Sequence, residues 1–216
     1  MIDKIFGFGC SWIHGDEIEH PNPATEKERR LYREHNCTLG QLADLLGVRT
    51  VYNHGISGGS LQSTMWEFTR YCNRFDENTL VVIGLTESSR QSWYNCDDRS
   101  PYMHSHWSHP EHTWEEFVKF YRLHSDCKQL WHMNYKIATN YFANYCFSNN
   151  IKLLQFKVFP APCEVAGVPE WNARGFVQNM HNQHGNCLAP HKHANEKGSK
   201  FLAERLYNTA TSAKII

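Results

Sequence analysis

The run Thr79-Leu-Val-Val-Ile-Gly84 limits the fold of this chain more than any other segment. It is continuous, β-branched and bounded by polar residues. A strand that is apolar on both sides of its pleat must be covered on both faces, as happens in a parallel sheet with helices above and below it. The flanking sequence provides the other elements. Residues 2–8, 49–53 and 151–159 read as further strands. Residues 38–47 form a helix with Leu39, Leu42, Leu45 and Leu46 on one face, Thr38 as its cap and Gly47 as its stop. Ser60 caps a second helix carrying Leu61, Met65, Phe68 and Cys72. Residues 126–148 are a third, with Leu130, Met133, Ile137, Tyr141 and Tyr145 in register, and a last helix begins near Asn195.

This alternation predicts an α/β protein, a parallel sheet of about five strands with helices on both faces, in one domain over residues 1–216. Residues 17–37 are polar and read as a surface excursion with room for a short helix. Residues 163–190 read as loop, with a short strand or turn near Gly175 to Val177. Residues 87–126, rich in Ser, His, Trp and Asp, read as an irregular insertion or lid. Its aromatics Trp93, Tyr94, Tyr102, Trp107 and Trp114 are suited to stacking on a sugar or another flat ligand.

Composition narrows the function classes. Formal net charge is zero, so no overall field draws nucleic acid or an acidic membrane. The eight cysteines are scattered without a CxxC pair, and the N-terminus carries no basic, apolar leader. Reduced thiols and a cytoplasmic location are expected, with neither a nucleic-acid nor a membrane partner. The oligomeric state is left open.

In a parallel sheet all strand-to-helix turns share one edge, where ligands bind. Ser11, in Gly9-Cys-Ser-Trp-Ile-His-Gly15, follows the first strand, Gly58 the second and Thr86 the third, while His193 precedes the last helix. A serine hydroxyl needs a base to become a nucleophile, and acyl transfer needs N–H or O–H donors for its oxyanion. His193 is the candidate base; the amides of Ser11 and Gly58 and the Thr86 hydroxyl are the candidate donors. Cys10 points away from Ser11 on extended backbone and reads as core.

These residues resemble the blocks of the SGNH (GDSL-type) hydrolases. Gly9-Cys10-Ser11-x-x-x-Gly15 matches Gly-Asp-Ser-x-x-x-Gly. Asn53-His-Gly-Ile56-Ser-Gly58-Gly-Ser60 matches the second block, Gly84-Leu-Thr86-Glu87 the third, and His193-Ala-Asn195-Glu-Lys-Gly198 the last. The ordered set spans nearly the whole chain. The compact Gly9-Cys10-Ser11-Trp12 opening also resembles that of predicted hydrolases of bacteriophages, which would place the protein in a host cytoplasm or a virion. The resemblance implies a flavodoxin-like three-layer α/β/α fold and cofactor-free serine esterase chemistry on an O-acetyl or short acyl ester of a carbohydrate. Three positions depart from it: Cys10 stands for the aspartate, Thr86 for an asparagine, and Pro190 or His191 where the triad aspartate should precede the base. A backbone carbonyl, His191 or a carboxylate from elsewhere would then orient His193. Glu87 and Arg90 pair with one another, or Arg90 meets an acidic substrate group.

Two other classes compete. A non-catalytic module of the same fold fits the missing acid and the Thr86 substitution. A metal-dependent phosphoesterase would draw on the histidines, 14 in all, clustered at His104, His106, His109 and His112 and at His181, His184, Cys187, His191 and His193. Neither cluster has a zinc-site spacing, so no metal is assigned.

Overall fold

The computed structural model describes residues 1–94, 101–104 and 128–216. Four parallel strands form the central sheet: β1 (Lys4–Gly9), β2 (Thr50–Gly55), β3 (Thr79–Leu85) and β6 (Lys152–Lys157), in the order β2-β1-β3-β6. A separate antiparallel pair, β4 (Gln91–Tyr94) and β5 (Pro101–His104), leaves the end of β3. Every residue of β3 is buried, as its unbroken apolar run requires.

The helices are α1 (Ser11–His14), α2 (Glu26–Asn36), α3 (Thr38–Leu46), α4 (Leu61–Tyr71), α5 (Lys128–Ser148), α6 (Ala173–His184) and α7 (Glu196–Ser212). Alternate residues of β3 feed two cores. Leu80 and Val82 pack with Leu39, Leu42, Val177, Leu202 and Leu206 from α3, α6 and α7. Val81, Ile83 and Leu85 pack with Leu61, Phe68, Tyr135, Ala138 and Phe142 from α4 and α5. The result is three layers, α/β/α. Among the described residues no helix is long and apolar enough to cross a membrane.

Two expectations are corrected, on the strand count and on the buried face of α5. The sheet has four described strands rather than about five, because residues 173–184 are helical. There the Asn172 side chain accepts the Gly175 N–H at 2.8 Å, and Ala173 and Val177, one turn apart, are buried. This capped, amphipathic turn outweighs the glycine that suggested a break. The polar excursion holds its surface helix as α2, which buries no residue and is opened by a capping box between Thr25 and Glu28. In α5 the buried stripe is Tyr135, Ala138, Thr139, Phe142 and Cys146, while Met133 and Ile137 are each 51% exposed. The small Ala138 and Thr139 let the helix approach β6, where Gln155 Nε2 donates to the Thr139 carbonyl at 3.3 Å. The first histidine cluster, apart from the backbone of His104, lies outside the described residues, as do Trp107 and Trp114 of the aromatic set.

Candidate active site

The site begins where β1 stops. Gly9 has φ +149°, and a Cβ there would lie 2.6 Å from the Gly84 carbonyl oxygen and 2.9 Å from Ile13 Cγ1. Only glycine lets the strand end this close to β3 and fold straight into α1. Cys10 caps that short helix and is fully buried, so its thiol belongs to the core as expected. Ser11 is then the first helical residue, 4% exposed.

Across the edge, the segment before α7 brings His193 to it. His193 Nε2 lies 2.9 Å from Ser11 Oγ. The other ring nitrogen, Nδ1, lies 2.6 Å from Glu17 Oε2. A carboxylate only accepts, so Nδ1 donates to Glu17; in the neutral ring this leaves Nε2 as the acceptor for the Ser11 hydroxyl. Trp12 meets the imidazole edge-on, with 6.2 Å between ring centroids.

Glu17 is the residue that sequence reasoning missed. Its carboxylate fills the place that Pro190 and His191 left without an acid. Oε1 accepts the His191 N–H at 2.8 Å and Oε2 the His193 N–H at 3.2 Å. Between those amides Lys192 has φ +66°, and Glu17 itself has φ +66°. Successive N–H groups around a left-handed residue form a concavity for an anion. Holding two non-glycine residues in that region costs on the order of 1 kcal/mol each, a strain typical of functional sites. Burial pushes the Glu17 carboxyl up, but the His191 amide, the His193 ring and amide, and the charge His193 can carry outweigh it, so it sits below its ordinary value. Such an acid contributes stability above its unfolded-state pKa and loses it as pH falls through the folded value. Glu17→Gln should therefore melt lower than the native chain at neutral pH, the gap closing on acidification. Melting curves from pH 7 down to pH 3 check this.

The His191 imidazole is exposed, so His191 serves Glu17 through its backbone rather than orienting His193 with its ring. Arg90 Nε is 3.7 Å from Glu87, and its guanidinium lies over Phe159, 5.3 Å from the ring centroid; the Glu87–Arg90 pair expected from their spacing is present. Thr86 is 2% exposed, and its hydroxyl oxygen is buried without a hydrogen-bond partner among the described residues. Gly58, at φ +70°, sits in an exposed turn closed by the Gly59 N–H to the Ile56 carbonyl at 2.9 Å. In the second histidine cluster, His181 Nδ1 accepts the Cys187 N–H at 3.2 Å and His184 stacks on Phe201. Among the described residues no three His, Cys, Asp or Glu side chains converge as metal ligands would.

Comparison with solved structures bears on this arrangement. The chain resembles a carbohydrate esterase with a TM-score of 0.53 and 13% identity, over 97% of this chain and 64% of that one. It also resembles a GDSL-like lipase structure from Parabacteroides merdae with a TM-score of 0.50 and 10% identity, over 96% and 97%. The chain has the fold of the GDSL (SGNH) esterases. No family model and no curated protein matches it. In this chain Ser11 follows β1 and lies 2.9 Å from His193, which precedes α7. The chain spans just under two thirds of the length of the carbohydrate esterase, 64%.

Proposed function

We propose that the protein is a serine esterase acting on an O-acetyl or other short acyl group carried by a carbohydrate. One observation carries this reading: Ser11, His193 and Glu17 form a continuous hydroxyl–imidazole–carboxylate chain, 2.9 Å and 2.6 Å per link. In the proposed reaction His193 Nε2 takes the Ser11 proton as Oγ attacks the ester carbonyl. Glu17 fixes the ring tautomer and stabilises the imidazolium without itself taking the proton. The negative charge on the former carbonyl oxygen meets the amides of Ser11 and Gly58 and the Thr86 hydroxyl. Collapse breaks the C–O bond, and the imidazolium returns its proton to the departing sugar oxygen. Water, deprotonated by the same imidazole, then releases the acid from Ser11. The reaction needs no cofactor.

The carbohydrate part of the proposal draws on the structural neighbour, a carbohydrate esterase whose active site is described as having divergent catalytic and non-catalytic binding functions. The non-catalytic alternative rested on the missing acid and on Thr86 in place of an asparagine; Glu17 answers the first of these, and the Thr86 substitution stands. Neither neighbour bears on a virion role. The test is hydrolysis of a short aryl ester and of acetylated oligosaccharides, together with labelling by a fluorophosphonate. Turnover and a label on Ser11 are expected; a folded protein with neither would refute the esterase.

Thr86 gives a sharper check, because stability and activity should move in opposite directions. A buried hydroxyl without a partner costs stability, whereas an oxyanion donor lowers the barrier. Thr86→Val keeps the shape and removes the hydroxyl. It should lower kcat by about 100-fold while leaving the melting temperature equal or higher. Loss of both together would mean that Thr86 is structural.

A further inference from the structure

A second carboxylate, Asp16, sits beside Glu17 and has no part in the chain from Ser11 through His193. Its two oxygens serve different elements. Oδ1 accepts from His14 Nδ1 at 2.5 Å, and Oδ2 accepts the Ser57 hydroxyl. His14 is the last residue of α1, the helix that presents Ser11, and Ser57 directly precedes Gly58. The left-handed Glu17 explains how adjacent acids part company, one reaching His193 and the other the turn after β2.

The rest of that turn is held unevenly. Its first half is pinned by groups that cannot move far. The Ile56 N–H donates to the Gly9 carbonyl at 2.8 Å, and Asn53 Nδ2 donates to the Ile13 carbonyl at 2.8 Å. Gly55 lies so close that a Cβ would be 2.3 Å from the His14 nitrogen. Beyond Ile56 the chain emerges: Ser57 and Gly58 are exposed, and Gly58 is in the left-handed region that glycine tolerates best. An exposed glycine turn is a poor platform for a donor that must lie within a few tenths of an ångström of its target. The Ser57 hydroxyl on Asp16 is a side-chain bond from that exposed half back to the nucleophile's own loop.

We propose that Asp16 is a positioning residue for the oxyanion turn: held by His14, it fastens Ser57 and so sets the Gly58 amide relative to Ser11. This rests on the esterase reading, in which Gly58 is an oxyanion donor. Asp16 does not touch substrate. Its effect is felt only when the carbonyl oxygen moves to its tetrahedral position, so it acts on the transition state more than on ground-state binding.

Ser57→Ala removes the tie at an exposed residue and leaves Asp16 on His14. Asp16→Ala removes both bonds, and Ser57→Thr keeps the hydroxyl. The probes are an aryl acetate and phenylboronic acid, whose boron accepts the Ser11 Oγ electron pair and becomes a tetrahedral mimic of the intermediate. Ser57→Ala and Asp16→Ala should each lower kcat by roughly 10- to 100-fold with KM within about twofold. Boronic-acid affinity should fall in parallel, and amide exchange at Gly58 and Gly59 should speed up. Ser57→Thr should restore all three, and the double variant should be no worse than Asp16→Ala. Unchanged boronic-acid affinity or unchanged exchange in Ser57→Ala, with the native protein binding the inhibitor normally, overturns the positioning role alone. A native protein that neither binds the inhibitor nor is labelled at Ser11 overturns the esterase reading, and this proposal with it.

Discussion

Ser11→Ala is expected to lower ester hydrolysis by on the order of 10⁴-fold or more and to abolish fluorophosphonate labelling. Oγ is the only heavy atom removed. Ser11 is 4% exposed at the first position of a short helix, where alanine adopts the same backbone, so the fold should survive. What is lost is the atom 2.9 Å from His193 Nε2. The same substitution made together with His193→Ala should cost little beyond either alone, because a nucleophile without its base and a base without its nucleophile fail at the same step. Mass mapping of the labelled native protein distinguishes Ser11 from Cys10. The label should fall on Ser11, since the Cys10 thiol is fully buried. Activity surviving in Ser11→Ala would assign the chemistry to another residue.

How much of this was legible in the sequence depends on what kind of signal each part leaves. β3 announces itself because both of its faces are buried, and an unbroken apolar run has few other meanings. Ser11 and His193 were legible through two signals together: a parallel sheet sends its strand-to-helix turns to one edge, and the ordered blocks of the family resemblance single out a serine and a histidine 182 positions apart. The buried face of α5 was not. Apolar residues occupy two stripes of that helix, and the choice between them was made by the small side chains against β6. Glu17 left still less trace. It lies in a polar stretch with no period, and its partners include two backbone N–H groups, which have no letter in a sequence. Its position depends on left-handed backbone at Glu17 and Lys192, residue types that rarely signal it. The family pattern puts the acid immediately before the histidine, whereas here the carboxylate comes from the loop after the nucleophile.

That displacement makes Glu17→Gln the most informative substitution in the site. A loss of about 10³- to 10⁴-fold in kcat is expected, with KM little changed and the fold retained. The physical reason is the donor count around the carboxylate. Three N–H groups converge on its two oxygens: the His191 amide, the His193 amide and His193 Nδ1. Glutamine has one acceptor oxygen and one NH₂ group. If its oxygen faces Nδ1, its NH₂ opposes the His191 N–H and the anion concavity is broken. If its NH₂ faces Nδ1, the ring must accept there, the proton moves to Nε2, and the nitrogen beside Ser11 can no longer take a proton. Either way the imidazolium that forms during attack loses its adjacent negative charge. Glu17→Asp keeps the charge but shortens the side chain by one methylene, so it should lose less than Glu17→Gln. A structural role alone would make the two variants fall in order of melting temperature; the base-orienting role makes labelling rate at Ser11 and kcat fall together while the melting temperature changes far less. If Glu17→Gln hydrolyses the aryl ester as fast as the native protein, the carboxylate is a brace for the 189–193 turn, and His193 works as a base without an acid behind it.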